Sequence, residues 1–336
     1  MYSADHRHPH QRVLVTGGSG FIGTNVVDAL LSEGRSVMNV DIAPPRIVTH
    51  NPCWRATDIL DLAGLRAAFA DFRPDLVLHL AARTDLDERR NLDGYAANIL
   101  GVSNVIDAIE RTGGVDRSFF ASSRLVCRIG YVPRDEEDCN PTTLYGESKV
   151  EGERLVRAAA NRIGAWTLLR FTSIWGPWFA APYNDFFRSI QRGVYVHPGR
   201  LNPHKSFGYV GNTVYQIERL AIAPLAAVAG RTLWIADYPP LEIRTWAALI
   251  ADALGSRPVR SLPLPVLRVI AKAGDLIQRL QFGHAPLTTF RLNNLTTDMV
   301  YDTAPLEALT GPLPYDLGTG VRETVAWLKN TRSTKS

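Results

Sequence analysis

Residues 143–153 read TLYGESKVEGE, and within them Tyr145 and Lys149 stand four apart. On a helix, positions i and i+4 share one face, so the phenol and the ammonium can enter one site. A tyrosine ordinarily ionises near a pKa of about 10, too high for a base at neutral pH, and a neighbouring ammonium favours the phenolate. Such a pair can take the proton of an alcohol hydroxyl. The same spacing also occurs on any solvated helix face. Position separates the two readings: the pair follows, by 22 residues, the apolar run RSFFASS (117–123), which ends in Ser122 and Ser123. Ser123 is then placed to hydrogen-bond the reacting oxygen. The alternative for the two serines is simple capping of a strand end.

These residues need a scaffold that brings a strand end and a helix start together. Short apolar runs of buried-strand type occur at 12–17, 36–41, 75–82, 117–123 and 166–171. Helical patterns lie between them at 21–34, 61–72, 91–112 and 145–163. Repeated strand-then-helix order predicts an α/β fold: a doubly wound parallel sheet with helices on both faces, the Rossmann arrangement. After residue 175 the rhythm changes, with Pro and Gly frequent through 176–204, a helix at 212–223, a strand at 232–237, and helices at 243–254, 264–282 and 318–330. The domain reading is a dinucleotide-binding unit over 12–176, with 206–238 returning to it. A smaller, mostly helical substrate region takes 177–205 and 239–330, and residues 1–11 form a disordered extension. His6, His8 and His10 alternate with polar residues in that extension, and the disordered reading is preferred there over a metal-binding tract.

The first strand and first helix are joined by a glycine loop, VLVTGGSGFIGTNVV, with Gly17, Gly20 and Gly23 at three-residue intervals. One glycine makes the tight turn, one lets the backbone approach a pyrophosphate, and the last permits close helix–sheet packing, while the helix N-terminus faces the phosphate charge. Asp41 ends the second strand, 24 residues past Gly17. A carboxylate there accepts hydrogen bonds from ribose hydroxyls and repels a 2′-phosphate, which favours NAD over NADP. Arg46, which can attract a phosphate, is discounted because Ala43, Pro44 and Pro45 separate it from the strand end. Asp58 stands where it reads an adenine amino group or, alternatively, caps the following helix. With NAD in this crevice, Lys149 also reaches the nicotinamide ribose.

Taken together, TGGSGFIG, the Asp58–Ile59 pair, HLAA (79–82), ASS (121–123), YGESK (145–149) and LRFTSIWGP (169–177) resemble the extended short-chain dehydrogenase/reductase family, in particular its NAD-dependent nucleotide-sugar epimerase and dehydratase branch. The specific motifs cover about 12–215. The resemblance implies that Gly17, Gly20, Phe21, Ile22 and Gly23 wrap the pyrophosphate, that Asp41 holds the adenosine ribose, and that Asp58 and Ile59 line the adenine. It implies further that Leu80, Ala81, Ala82 and Phe171 lie along the cofactor, that Asn98 supports the site's framework, and that Ser123, Tyr145 and Lys149 are the catalytic triad. On the substrate side it implies Ser173, with Lys205 and Arg291 meeting the phosphates of a nucleotide sugar. Arg124 and Leu125 depart from the branch. They stand where its dehydratases carry an acid pair, so a 4,6-dehydratase is excluded. The implied activity is reversible hydride transfer through a transient keto-sugar, that is, epimerisation. The alternative is net oxidation or reduction of a nucleotide sugar or of a hydrophobic, steroid-like alcohol.

Composition limits the remaining possibilities. The net charge is +4, from 37 basic and 33 acidic residues that are interspersed, so no nucleic-acid surface is indicated. Cys53, Cys127 and Cys139 form no metal-ligand spacing and too few pairs for a disulfide framework, which fits a cytoplasmic protein. No metal is expected, and the partners are a small-molecule substrate and, by resemblance, a second copy in a homodimer. The segment 262–282 is amphipathic and basic-flanked. It reads as a cover for the substrate cleft, with membrane association not expected.

Overall fold

The computed structural model describes residues 11–88, 90–180, 183–280 and 287–333, so the histidine-containing extension lies outside the described residues. In the first half the elements run β1 (Arg12–Thr16), α1 (Phe21–Ser32), β2 (Ser36–Asp41), β3 (Trp54–Ala56), α2 (Leu62–Phe72), β4 (Leu76–His79), α3 (Ala96–Thr112), β5 (Arg117–Ser123), α4 (Leu144–Ala158) and β6 (Ala165–Phe171). In the second half they run β7 (Ser173–Trp175), α5 (Tyr183–Gln191), β8 (Val196–Pro198), β9 (His204–Lys205), β10 (Phe207–Tyr209), α6 (Val210–Ile222), α7 (Leu225–Val228) and β11 (Arg231–Ile235), then β12 (Leu241–Glu242), α8 (Ile243–Leu254), β13 (Arg260–Leu262), α9 (Leu264–Arg279), α10 (Thr289–Thr296), α11 (Ala304–Thr310) and α12 (Leu317–Ser333).

Seven strands form one sheet in the order β11-β6-β5-β4-β1-β2-β3, every pairing parallel. The run VLV in β1 has no polar side because both faces of the sheet are covered. Val13 and Val15 enter the core shared with α1 and α6, whereas Leu14 enters the core shared with α2, α3 and α4. The chain order reverses between β1 and β4, and a parallel sheet opens a ligand crevice at such a switch point, beyond the carboxyl ends of its strands.

The second region does not stand apart. Trp175, Phe187 and Trp246 are almost wholly buried and belong to the same continuous core as Val13 and Val15, with the two indole rings 5.3 Å apart. β11 adds to the edge of the main sheet beside β6, whereas β10 pairs with β7 in a separate two-stranded sheet. The strand expected over 75–82 ends at His79, and the helix expected from 91 begins at Ala96 after a short turn over Leu92–Tyr95.

Candidate active site

The crevice begins at Gly17, whose φ of +75° belongs to the left-handed region and whose added Cβ would lie 2.6 Å from the Ala81 backbone nitrogen. At Gly23 an added Cβ would lie 2.1 Å from the Gly17 carbonyl oxygen, so α1 can close on the loop only with glycine there. Gly20 is the N-cap of α1, and no side chain caps the first turn. Its backbone donors are therefore offered to an anion. At the rim, the Asp41 carboxylate accepts from Ser19 N at 3.0 Å and Ala43 N at 2.9 Å, which holds it against the glycine loop. Arg46, discounted from sequence, is in fact part of this loop: its Nε donates to the Ser19 carbonyl at 2.9 Å and its Nη1 to the Trp178 carbonyl at 2.6 Å.

Beneath the loop, Thr16 and His79 stand opposite each other on β1 and β4, with Thr16 Oγ1 2.7 Å from His79 Nδ1. Burial, and then the charge of Lys149, push the imidazole down to about 3, so it stays neutral. Leu80, Ala81 and Ala82 follow directly and are half-buried along the crevice. Ile59 does not line an open surface: it is 6% exposed and its side chain packs on Gly101, while Asp58 stays exposed at the rim. Asp61, not Asp58, caps α2, accepting from Gly64 N at 3.1 Å.

On the other side of the switch point, α4 starts at Thr143, whose Oγ1 accepts from Gly146 N at 3.0 Å. Tyr145 follows at once and is buried, with its ring edge-on to Tyr95 at 6.0 Å. The helix approaches the turn after Ser123 so closely that a Cβ on Gly146 would sit 2.2 Å from the Leu125 carbonyl oxygen. That contact packs the first turn of α4, which carries Tyr145, against the turn that follows Ser123. One turn on, Lys149 Nζ donates to the Ala121 carbonyl of β5 at 3.1 Å. Burial lowers its pKa to about 8, against an opposing effect from Glu153. The structure thus gathers Ser123, Tyr145 and Lys149 at the carboxyl end of β5. Phe171 joins them as Ser123's register partner on β6.

The two serines divide their work. Ser123 Oγ accepts from Leu125 N at 3.1 Å and faces the turn, so it caps the strand end and keeps a hydroxyl proton to donate. Ser122 points away and donates to Glu153 Oε1 at 2.5 Å. Glu153 also takes Arg170 Nε at 2.9 Å, Arg170 Nη2 at 2.8 Å and Arg157 Nη1 at 3.0 Å. Arg170 in turn lies over the Trp234 ring at 5.0 Å, and Trp234 stacks on Tyr301 at 4.2 Å. This buried network braces β5 and α4 from behind. It was missed from sequence, where only the four-residue step from Lys149 to Glu153 hints at it.

Two of the expected site residues are enclosed by protein. Asn98 is fully buried and its amide is engaged with Arg83 N, Arg83 O and Ser148 Oγ at 2.8, 3.0 and 2.9 Å, so it braces α3 against α4. Lys205 is 1% exposed, and its ammonium is donated to the Asn294 carbonyl at 2.6 Å and to that of Thr297. It clamps the end of α10 and does not open toward a phosphate. Arg291 is exposed in the first turn of α10, where its backbone N donates to Thr288 Oγ1 at 3.2 Å. Ser173 is buried and accepts from Arg124 Nε at 3.3 Å, and Arg124 Nη1 lies 3.6 Å from Met299 Sδ.

A model of the NAD dependent epimerase/dehydratase family matches residues 13–235. The chain belongs to that family. Among curated relatives of this epimerase/dehydratase chain, the 3 beta-hydroxysteroid dehydrogenase/Delta 5→4-isomerase of Mycobacterium tuberculosis H37Rv is 31% identical over 338 residues, covering 90% of each chain. The N-acetyl-alpha-D-glucosaminyl-diphospho-ditrans,octacis-undecaprenol 4-epimerase of Escherichia coli O157:H7 is 24% identical, covering 95% of each. Among solved structures, the UDP-glucose 4-epimerase of Thermotoga maritima superposes with a TM-score of 0.73 at 22% identity, over 96% of this chain and 99% of that one.

The protein is an NAD-dependent enzyme of the extended short-chain dehydrogenase/reductase type. Its residues fit the dinucleotide: the uncapped first turn of α1, the side-chain-free approach at Gly17 and Gly23, and a rim carboxylate suited to ribose hydroxyls. Bound there, NAD supplies a hydride acceptor, and the chain's own groups supply orientation and the proton path.

Proposed function

We propose that this enzyme catalyses the NAD-dependent oxidation of a secondary alcohol on a hydrophobic molecule, or the reverse reduction. Tyr145 accepts the hydroxyl proton, the Lys149 ammonium stabilises the phenolate, and Ser123 donates a hydrogen bond to the oxygen that becomes a carbonyl. The alcohol loses one proton and one hydride, and the products are a ketone, NADH and a proton. What carries this reading over nucleotide-sugar chemistry is Lys205: the lysine suited to a sugar-nucleotide phosphate is buried and committed to α10 carbonyls. The 31% identity to a 3 beta-hydroxysteroid dehydrogenase supports the same class.

Epimerisation through a transient ketone remains a second reading, because Arg124 stands beside Ser123 and, among the described residues, no carboxylate pairs with it. A guanidinium so placed suits a phosphate of a nucleotide or lipid-diphosphate sugar. The test is one panel: 3β-hydroxysteroids, long-chain secondary alcohols and UDP-sugars, each with NAD, followed by absorbance for NADH and by NMR for sugar configuration. The reading expects NADH from a hydrophobic alcohol, abolished in Tyr145→Phe while NAD binding survives. Epimer formation from UDP-sugars without net NADH would refute it.

A further inference from the structure

α9 is built inside out. It meets the rest of the protein along one narrow edge, Leu267 and Ala271, which pack with Leu292 of α10. At about 100° per residue, Val266, Val269, Ile270, Ala273, Leu276, Ile277 and the following Leu280 fall on one arc of about 120°. That arc points away from the buried edge: Val269 is 69% exposed, Leu276 56% and Leu280 53%. Phe290 of the neighbouring α10 is 60% exposed. Arg268 and Lys272 lie exposed along the third side of the helix. The one acid of α9, Asp275, is engaged at the start of α10, where it accepts from Thr289 N at 3.0 Å.

We propose that α9 docks flat on an anionic membrane surface, its apolar arc in the headgroup–acyl boundary and its basic side among the lipid phosphates. A helix with a wide apolar arc, a basic flank and few acids has this property. Its 16 residues span about 24 Å at the α-helical rise, and no described helix is long and apolar enough to cross a bilayer, so the contact is with one leaflet. Charge decides between lipid and a second copy of the chain. Two copies apposed through this arc would set Arg268 and Lys272 beside their counterparts without a carboxylate to meet them, whereas anionic headgroups supply the missing charge. Docking would bring the substrate side close to the bilayer, since the chain after α10 runs through Met299 to Arg124 beside Ser123. That consequence rests on the hydrophobic-alcohol reading, and the docking does not.

The experiment is flotation of the full chain with phosphatidylcholine vesicles, with and without phosphatidylglycerol, at low and high salt. Binding is expected only with the anionic lipid and is weakened by salt. Each basic residue at such a surface multiplies binding about fivefold, so Arg268→Glu/Lys272→Glu should lower it by about 25-fold or more. Val269→Ser/Ile277→Ser should abolish it, with the melting temperature and NAD affinity unchanged. The proposal falls if wild type does not float with anionic vesicles, or if the serine variant floats as well as wild type. It falls equally if sedimentation shows a dimer that the serine variant breaks and wild type shows no vesicle binding. Because flotation needs no substrate, its failure leaves the hydrophobic-alcohol reading standing, and the converse holds.

Discussion

Replacing Glu153 by Gln isolates the network behind the triad. The wild-type carboxylate is 2% exposed and accepts from three side chains: Ser122 at 2.5 Å, Arg170 at 2.9 and 2.8 Å, and Arg157 at 3.0 Å. An amide of the same shape keeps one acceptor oxygen and turns an NH2 against guanidinium donors. Arg170, with no exposed surface, is then a buried charge without its counter-ion. Removing one partner of such a pair costs about 3–5 kcal/mol. With a shift of about 2–4 °C per kcal/mol in larger chains, the melting temperature should drop by roughly 6–20 °C. Arg170→Met added to Glu153→Gln removes the stranded charge, so the double variant should lose less than the two single losses combined. A second consequence is catalytic. Glu153 supports the charge on Lys149, whose pKa burial already holds at about 8, so without it the ammonium is lost at a lower pH. The alkaline limb of the rate profile should move down accordingly. Thermal melts and pH–rate profiles of NADH formation read both effects. A Glu153→Gln protein melting within about 1 °C of wild type, or a purely additive double variant, would refute this account of the buried pair.

Other perturbations probe the remaining parts. Gly146→Ala puts a methyl 2.2 Å from the Leu125 carbonyl oxygen, which must push α4 off the Ser123 turn. A misplacement of this order costs about 100-fold in kcat with NAD affinity retained, and steady-state kinetics with NAD titration will check it. Asp41→Ala removes the rim carboxylate while leaving Arg46 on the Ser19 carbonyl, so NAD affinity should fall about tenfold or more and the NADP/NAD ratio should rise, as read by fluorescence titration with each dinucleotide. Asp237 is buried with Tyr209 N on its Oδ2, and burial raises its carboxyl to about 7 from the ordinary 3.8. The folded state therefore holds a proton that the unfolded chain has released. This contribution to stability is full below the unfolded pKa and fades as pH rises from about 4 through 7. Asp237→Asn should then melt progressively above wild type as pH rises from about 5 to 8, and a constant difference would contradict the assigned protonation.

How much of this was readable beforehand follows from where each signal lies along the chain. The glycine loop, Asp41 and the Tyr145–Lys149 step are local patterns with local physical meaning, and the parallel sheet that assembles them follows from repeated strand–helix order. Glu153, Ser122 and Arg170 come from three elements up to 48 positions apart, and nothing short-range links them. The surroundings of Lys205 were illegible for a related reason. The sequence offered a phosphate contact or a solvated charge there, and α10 returns about 90 residues later to enclose the ammonium with two carbonyls. Arg46 was discounted as a phosphate contact because Ala43, Pro44 and Pro45 separate it from the strand end, and the structure places its guanidinium on the Ser19 and Trp178 carbonyls.

α9 marks a different boundary between sequence and structure. Its periodicity correctly announces an apolar stripe, and ordinary packing would turn that stripe inward. The structure does the opposite because Leu267 and Ala271 already pack the helix onto Leu292 of α10, leaving the wider stripe to solvent. Hydrophobic periodicity reports how apolar residues are distributed around a helix axis, but not which side meets protein. An arc this wide, kept exposed beside a basic flank, costs solvation that packing does not recover, and a lipid surface is the partner whose charge and polarity would recover it.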